Sequence, residues 1–301
     1  AGPTCTELRE CGDLLMGSAV SGGIRSAQLE YPRVEMVVID AGACVKDTIC
    51  DSSAVVHALL SEMSVWGGDL EVAYRNGCRY VRQYKDAFLC NEEACQVAES
   101  DLLSCDGSVF GSGAYIVTGG LGGLGLLSGR VLCDLGASHL VLLSRSGKVS
   151  YEGQGLEEML AWLEKESGAT VHVMRCDVSD ESSVVDMLGR VRATCGGICG
   201  IIHAAGVLQD GLLRDGSALR AMDTVWVAKA HSAWLLHLHT LQDALQCFVV
   251  FSSITSGMGN IGQVSFGASN SYLDGLVAAR IQCGLRSASI RWPAVAGVGM
   301  A

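Results

Sequence analysis

Between Thr118 and Gly125 the chain reads TGGLGGLG, with glycine at 119, 120, 122, 123 and 125 around Leu121 and Leu124. Glycines this dense let backbone N–H groups approach a bound anion, because no Cβ intervenes and positive φ is open. The chemistry that such a turn serves is phosphate binding at a helix N-terminus, where unpaired N–H groups and the helix dipole favour negative charge. Two registers fit, Gly120-x-Gly122-x-x-Gly125 and Thr118-Gly119-x-x-x-Gly123-x-Gly125. Close packing or a flexible turn would also select glycine, so the flanks decide. Ala114–Val117 reads as a buried strand, and Leu124, Leu127, Val131 and Leu135 recur at helical spacing. Strand, glycine turn and helix together predict a dinucleotide site.

Further residues fall at the ends of later strands. Ser144-Arg145-Ser146 follows the second apolar run, with Arg145 twenty residues after Gly125. A carboxylate here would take the ribose 2′-OH of NAD; a cation accommodates a 2′-phosphate, which predicts NADPH. The alternative for Arg145 is an ordinary surface arginine. Asp177-Val178 could meet the adenine, or the aspartate could cap a helix. His203-Ala204-Ala205-Gly206 offers small residues where a cofactor would run close to the fourth strand.

The elements that position these groups can be read from periodicity. From Gly113 onward strands and helices alternate: strands at 139–143, 170–174, 198–202, 247–251 and 287–291, helices at 156–166, 180–195, 223–240 and 263–282. Ser179-x-x-Ser182 resembles a helix cap more than a site. Strict βα alternation predicts an α/β, doubly wound, Rossmann-type parallel sheet with ligands at the carboxyl ends of its strands. The front of the chain has no phosphate loop. It predicts a strand at 34–39, a helix at 54–63, and a hairpin in which 71–75 and 78–83 flank Asn76-Gly77. His57, alone on an apolar stretch, reads as structural. The polar stretch Ser104–Gly113 marks the boundary between segments 1–107 and 108–301.

Bulk properties bound the function. A net charge of −11 argues against nucleic-acid binding. No uninterrupted apolar run of membrane-spanning length and no leader-like N-terminus is present, so neither a span nor a signal peptide is predicted. The 14 cysteines are scattered without a C-x-x-C pair. Cys90/Cys95 and Cys195/Cys199, the nearest pairs, lack metal-site spacing, which predicts reduced thiols, a cytoplasmic protein and no metal.

The segments TGGLGGLG (118–125), HLVLLSRSG (139–147), IIHAAGVLQDGLL (201–213), AKAHSAWLLH (228–237), FVVFSS (248–253) and GQVSFGASNSYLDGL (262–276) resemble the ketoreductase domains of modular polyketide synthases. These are a branch of the short-chain dehydrogenases/reductases, whose glycine pattern is the second register above. Fatty acid synthase ketoreductases share parts of the match. The front segment resembles the family's truncated Rossmann-like structural subdomain, best at EVAYRNGCRYVRQY. The resemblance implies NADPH-dependent reduction of a 3-oxoacyl group carried on the phosphopantetheine arm of an acyl carrier protein, beside other synthase domains. It also implies site roles. Ser253 would hydrogen-bond the substrate carbonyl, Lys229 would hold the nicotinamide ribose and lower a tyrosine pKa, and Asn270 would position a proton relay. Asn270 lies four residues after 266, on one helix face with it, and Ser253 lies thirteen before.

Position 266, where the family has its proton-donating tyrosine, is Phe266. A phenyl ring has no O–H to give, and general acid catalysis contributes about 10²–10⁴-fold, so the chain is expected to be inactive or severely impaired. Tyr272, about 240° around the helix from 266, is no substitute. Leu208-Gln209-Asp210 keeps the final aspartate of the B-type LDD motif, and Met258 stands where A-type domains carry tryptophan, which together imply a D-hydroxy product. The family's WGPW-x-x-x-GM is replaced by Trp292-Pro293-Ala294-Val295 before Gly299-Met300. The chain ends at Ala301, before the family's lid region, so a cover over the cleft is expected to be missing. Two rival readings are a silent, structural domain and an epimerase-like domain that binds substrate without reducing it.

Overall fold

The computed structural model describes residues 5–34, 36–40, 56, 60, 62, 69–75, 78–83, 112–150 and 153–297, with only the helical backbone for 5–14. The chain opens with a long helix, α1 (Cys5–Glu30), that the sequence reading does not predict. Its buried face carries little hydrophobic signal: Ser26, Ala19 and Ala27 are buried with Leu15, and Gly22 lies against a second helix. Next come β1 (Val38–Asp40), β2 (Glu71–Arg75) and β3 (Cys78–Val81). β1 runs parallel to β2, and β2 pairs antiparallel with β3, Arg75 opposite Cys78. The two hairpin strands lie where the Asn-Gly signal puts them, while β1 starts later than the expected strand at 34–39. His57, Cys90, Cys95, most of the helix expected at 54–63 and most of the boundary at 104–113 lie outside the described residues.

From β4 the alternation is regular: β4 (Ala114–Thr118), α2 (Gly123–Asp134), β5 (His139–Ser144), α3 (Leu156–Lys165), β6 (Thr170–Arg175), α4 (Glu181–Cys195), β7 (Ile198–His203), α5 (Ser217–Trp226), α6 (Ser232–His239), β8 (Cys247–Ser253), α7 (Thr255–Met258), α8 (Val264–Gln282) and β9 (Ala288–Trp292). The six strands form one parallel sheet in the order β6-β5-β4-β7-β8-β9, the doubly wound arrangement the sequence predicts. Successive β4 side chains enter opposite cores, as a strand buried on both faces requires. Ala114 and Ile116 pack with Val141, Leu188, Phe248 and Leu273, whereas Tyr115 and Val117 pack with Leu126, Leu142 and Leu163.

One local expectation is refined and one corrected. The helical stretch expected over 223–240 is present and begins earlier, as α5 and α6 joined by a π-helical turn, Val227–His231. The cap of α4 is Asp180, whose carboxylate accepts from Ser183 N at 2.8 Å. Ser179 is instead held in the preceding turn by Asp177 Oδ1, which accepts from its N and Oγ at 3.0 and 2.6 Å.

α1 crosses α8 at close range. A Cβ on Gly22 would stand 2.3 Å from Ser271 Oγ and 2.5 Å from Gly267 O. Arg25 fastens the crossing: it donates to Ser256 O and to Ser271 Oγ (3.3 Å), and its Nη2 pairs with Glu71 Oε2 of β2 at 2.6 Å. α8 carries positions 266 and 270, so this first helix braces the element that presents them.

Candidate active site

The strand order reverses between β4 and β7, which opens a crevice at their carboxyl ends. A cleft of about 350 Å³ lies there. One wall is the glycine turn, with Gly119, Gly122, Gly123, Leu124 and Gly125 facing the cleft at the N-terminus of α2. Gly119 has φ +63°, and a Cβ on it would sit 3.0 Å from Ala205 N, so the turn and the end of β7 touch backbone to backbone. No side chain caps α2, which leaves its first N–H groups for a ligand. Gly120 and Leu121 are buried beneath the turn. Ala204, Ala205 and Gly206 form the adjoining wall, and a Cβ on Gly206 would meet Lys229 Cε at 2.9 Å.

Lys229 is buried at the base of the cleft, on the π turn. Its Nζ donates to Phe251 O at 2.7 Å and lies 5.4 Å from the centre of the Phe266 ring. Burial pulls its pKa down to about 8, partly countered by Asp274. The backbone of the π turn is fixed by His203. Lys229 O can only accept, so His203 donates to it from Nε2 (3.0 Å). Nδ1 then accepts from Thr118 Oγ1 (2.8 Å), and Thr118 Oγ1 accepts from Ala205 N (3.1 Å). Burial, then the neighbouring Lys229 charge, pushes His203 down to about 3, which keeps this imidazole neutral. Thr118 and His203 thus stand behind the cleft, joining the glycine turn to the lysine.

Ser253 ends β8 and faces the cleft, its Oγ donating to Thr255 Oγ1 at 3.1 Å. Ser252 turns to α8 and donates to Asn270 O at 3.2 Å. Phe266 lines the cleft one helical turn before Asn270, whose Nδ2 donates to Phe266 O at 2.8 Å. Asn270 Oδ1 and Trp292 Nε1 are buried without a hydrogen-bond partner among the described residues. Polar atoms so placed usually mark a ligand or water position. Tyr272 packs edge-on against Trp226 at 5.1 Å, in the core and away from the cleft, and burial raises it to about 12.

The other sequence-predicted residues lie around this centre or outside it. Arg145 and Ser146 are exposed beyond β5, and Ser144 Oγ and Ser146 Oγ are used inside the turn, accepting from Gly147 N and Lys148 N. Asp177 is exposed and Val178 is buried in the core. Leu208 lines the cleft; Asp210 reaches it indirectly, its two carboxylate oxygens accepting from Gln263 Nε2 at 3.1 and 3.2 Å. Gln209 is exposed, and Met258 is exposed and does not line the cleft. Four residues near the site are absent from the sequence reading: Thr255, Asn260 and Gln263, which line the cleft, and Arg175, whose side chain packs on Gly147 with Nε 3.5 Å from Arg145 O. The signal for Arg175 was its register, since it ends β6 opposite Ser144.

Comparison with known proteins agrees with this geometry. The profile of the KR domain matches residues 113–297. The phenolphthiocerol synthesis polyketide synthase type I Pks15/1 of Mycobacterium marinum is 42% identical over 178 residues, 59% of this chain and 8% of that protein. The spectinabilin polyketide synthase system protein NorB of Streptomyces orinoci is 38% identical over 189 residues, 62% of this chain and 8% of that protein. Among solved structures, an A-type ketoreductase from a modular polyketide synthase superposes with TM-score 0.71 at 29% identity, covering 95% of this chain and 55% of that one. The ketoreductase from the first module of phoslactomycin biosynthesis in Streptomyces sp. HK803 gives 0.73 at 28%, covering 94% and 60%. The chain belongs to the KR domain family, the Rossmann-type ketoreductases of polyketide synthases. It spans less than a tenth of the curated relatives named here. Such reductases point to a nicotinamide cofactor as a class. No helix among the described residues is long and apolar enough to cross a membrane.

Proposed function

We propose that this chain is the ketoreductase of a polyketide synthase module, built to reduce a 3-oxoacyl group on an acyl carrier protein with NADPH, and blocked at its proton donor. Residues 1–107 serve as the structural subdomain and 108–301 as the catalytic one, in a cytoplasmic multidomain synthase. The observation that carries the reading is Lys229 Nζ, buried 5.4 Å from the Phe266 ring in a cleft that also presents Ser253. A hydroxyl on that ring would enter the lysine's reach; without it the lysine donates to Phe251 O instead.

The residues fit the cofactor. The glycine turn is a cradle that a Cβ would fill, and Asn270 Oδ1 and Trp292 Nε1 are buried polar atoms without a partner among the described residues. The N–H groups at the start of α2 would take the pyrophosphate, with Thr118, Gly120 and Leu121 supporting the turn from beneath. Arg145, beside Ser144 and Ser146 and joined by Arg175, would take the 2′-phosphate. Asp177 and Val178 would border the adenine, His203 and Ala204–Gly206 would back the nicotinamide half, and Lys229 would hold its ribose. NADPH when bound supplies the hydride. Ser253 would orient the substrate carbonyl and Asn270 would order the relay behind position 266. Asp210, held by Gln263, would set the face of attack beside Leu208, with Gln209 exposed next to them and Met258 standing, outside the cleft, where A-type domains carry tryptophan, giving a B-type, D-hydroxy product.

Phe266 itself favours one second reading, a structural domain without catalysis. NADPH oxidation with a 3-oxoacyl thioester, run on this chain and on Phe266→Tyr, separates the two. The tyrosine variant should gain at least about 100-fold. Equal inactivity of both proteins, with NADPH bound by both, would select the structural reading.

A further inference from the structure

At the amino ends of β5 and β6, at the opposite end of the sheet from the cleft, three side chains converge that no sequence motif links. They are His139, the first residue of β5, His172, the third of β6, and Cys195, the last of α4. Each offers one donor atom, and the three atoms lie within 4.8 Å of one another. The β5–β6 register sets Val141 opposite His172, so both histidines project to the same face, and α4 brings Cys195 down on them. The two imidazoles stack at 6.1 Å with 20° between their planes. His139 Nδ1 and His172 Nε2 are buried and have no hydrogen-bond partner among the described residues. Two orphaned imidazole nitrogens beside a buried thiol are unusual for a packed interior, where polar atoms are normally paired.

We propose that His139, His172 and Cys195 form a zinc site. Two imidazoles and a thiolate are a borderline-soft donor set suited to Zn²⁺. Tetrahedral zinc with these ligands separates its donor atoms by about 3.3–3.6 Å, from metal–ligand distances of about 2.0–2.3 Å. Closing from 4.8 Å therefore needs about 1 Å of side-chain motion on an otherwise rigid frame. Coordination displaces the Cys195 thiol proton to solvent and leaves a fourth position for water, because among the described residues the group contains no fourth donor. The metal would clip α4 to β5 and to β6, the sheet's edge strand, remote from the glycine turn.

The test is cobalt(II) substitution in the full chain, reduced and stripped with chelator. Absorption reports thiolate-to-cobalt charge transfer and tetrahedral ligand-field bands, and elemental analysis gives the stoichiometry. The expected result is one Co²⁺ per chain, displaced by Zn²⁺, for the parent and for Cys199→Ser. In Cys195→Ser the charge-transfer band should vanish and affinity should fall by at least about 100-fold, more than the loss of an outer-shell partner. In His172→Gln the thiolate band should persist at weakened affinity. Far-UV circular dichroism checks that each variant is folded, and the near-isosteric Cys195→Ser decides if the histidine variant is not. An unchanged thiolate band in Cys195→Ser, or a folded parent that binds no cobalt, overturns the proposal.

Discussion

Gly22 is where the α1–α8 crossing is most exposed to a single methyl group. A Cβ there would stand 2.3 Å from Ser271 Oγ, 2.5 Å from Ser271 Cβ and 2.5 Å from Gly267 O. The last contact is backbone, so no rotamer change relieves it and the helices must part. Overpacking of this kind costs about 1–3 kcal/mol, and three contacts at or below 2.5 Å place Gly22→Ala at the upper end. Alanine's helix propensity returns about 1 kcal/mol, leaving a net loss of about 2 kcal/mol. For a chain this size, with an unfolding entropy of about 2.1 cal/mol/K per residue, that lowers Tm by about 3 °C. Gly17 in the same helix is the control: nothing lies within 4 Å of its added Cβ, so Gly17→Ala should gain about 1 kcal/mol. Thermal and urea unfolding followed by circular dichroism measure both. If Gly22→Ala behaves like Gly17→Ala, the close crossing is refuted, and with it the view that α1 braces the helix bearing Phe266.

Burial holds Lys229 at about 8 against 10.5, so between those values the unfolded chain binds more protons than the folded one and stability rises with pH. Across that window the parent should gain about 3 kcal/mol relative to Lys229→Met, read by urea unfolding at pH 7.5 and 10.5; parallel curves would remove the buried charge. Replacing Arg145 and Arg175 together by alanine should weaken NADPH binding about 10–100-fold and leave NADH unchanged, measured by fluorescence titration. Equal losses for both cofactors would put the 2′-phosphate elsewhere. His203, held neutral in the fold, should make the chain less stable as pH falls below 6.5, and in His203→Gln that acid sensitivity should shrink.

The sheet was legible because its central strands are short apolar runs and α2 to α5 repeat apolar residues at helical spacing, whereas α8 is buried nearly all round and was found by its length. The Asn-Gly pair disclosed the β2–β3 hairpin in the same way, through turn chemistry. α1 was not legible because the residues that matter at its crossing are small and polar, Gly22 and Ser26 against Gly267 and Ser271, glycine backbone meeting glycine backbone and serine side chains, which leaves no apolar pattern. The glycine turn could be found from local sequence alone. Ser253, Lys229 and Phe266 could not, because the fold brings them together from three elements and only the family resemblance connected them. Asp210 illustrates the remaining gap: its partner Gln263 lies 53 residues away, and no local rule pairs them.

The π turn at 227–231 amounts to one surplus residue in an otherwise α-helical stretch. It works as a phase shifter. Upstream, α5 keeps Ala218, Ala221 and Val225 inward; downstream, α6 keeps Ala233, Leu235 and Leu236 inward. The extra residue lets both stretches keep those frames while Lys229 is aimed at Phe251 O. Deleting one residue here would restore a uniform helix with both flanking frames in place, but would change the direction in which Lys229 projects, because one residue is about 100° of helix. The reach of this ammonium group is therefore written into chain length as much as into residue type, so a one-residue deletion between 227 and 231 should leave the fold largely intact while misplacing the lysine.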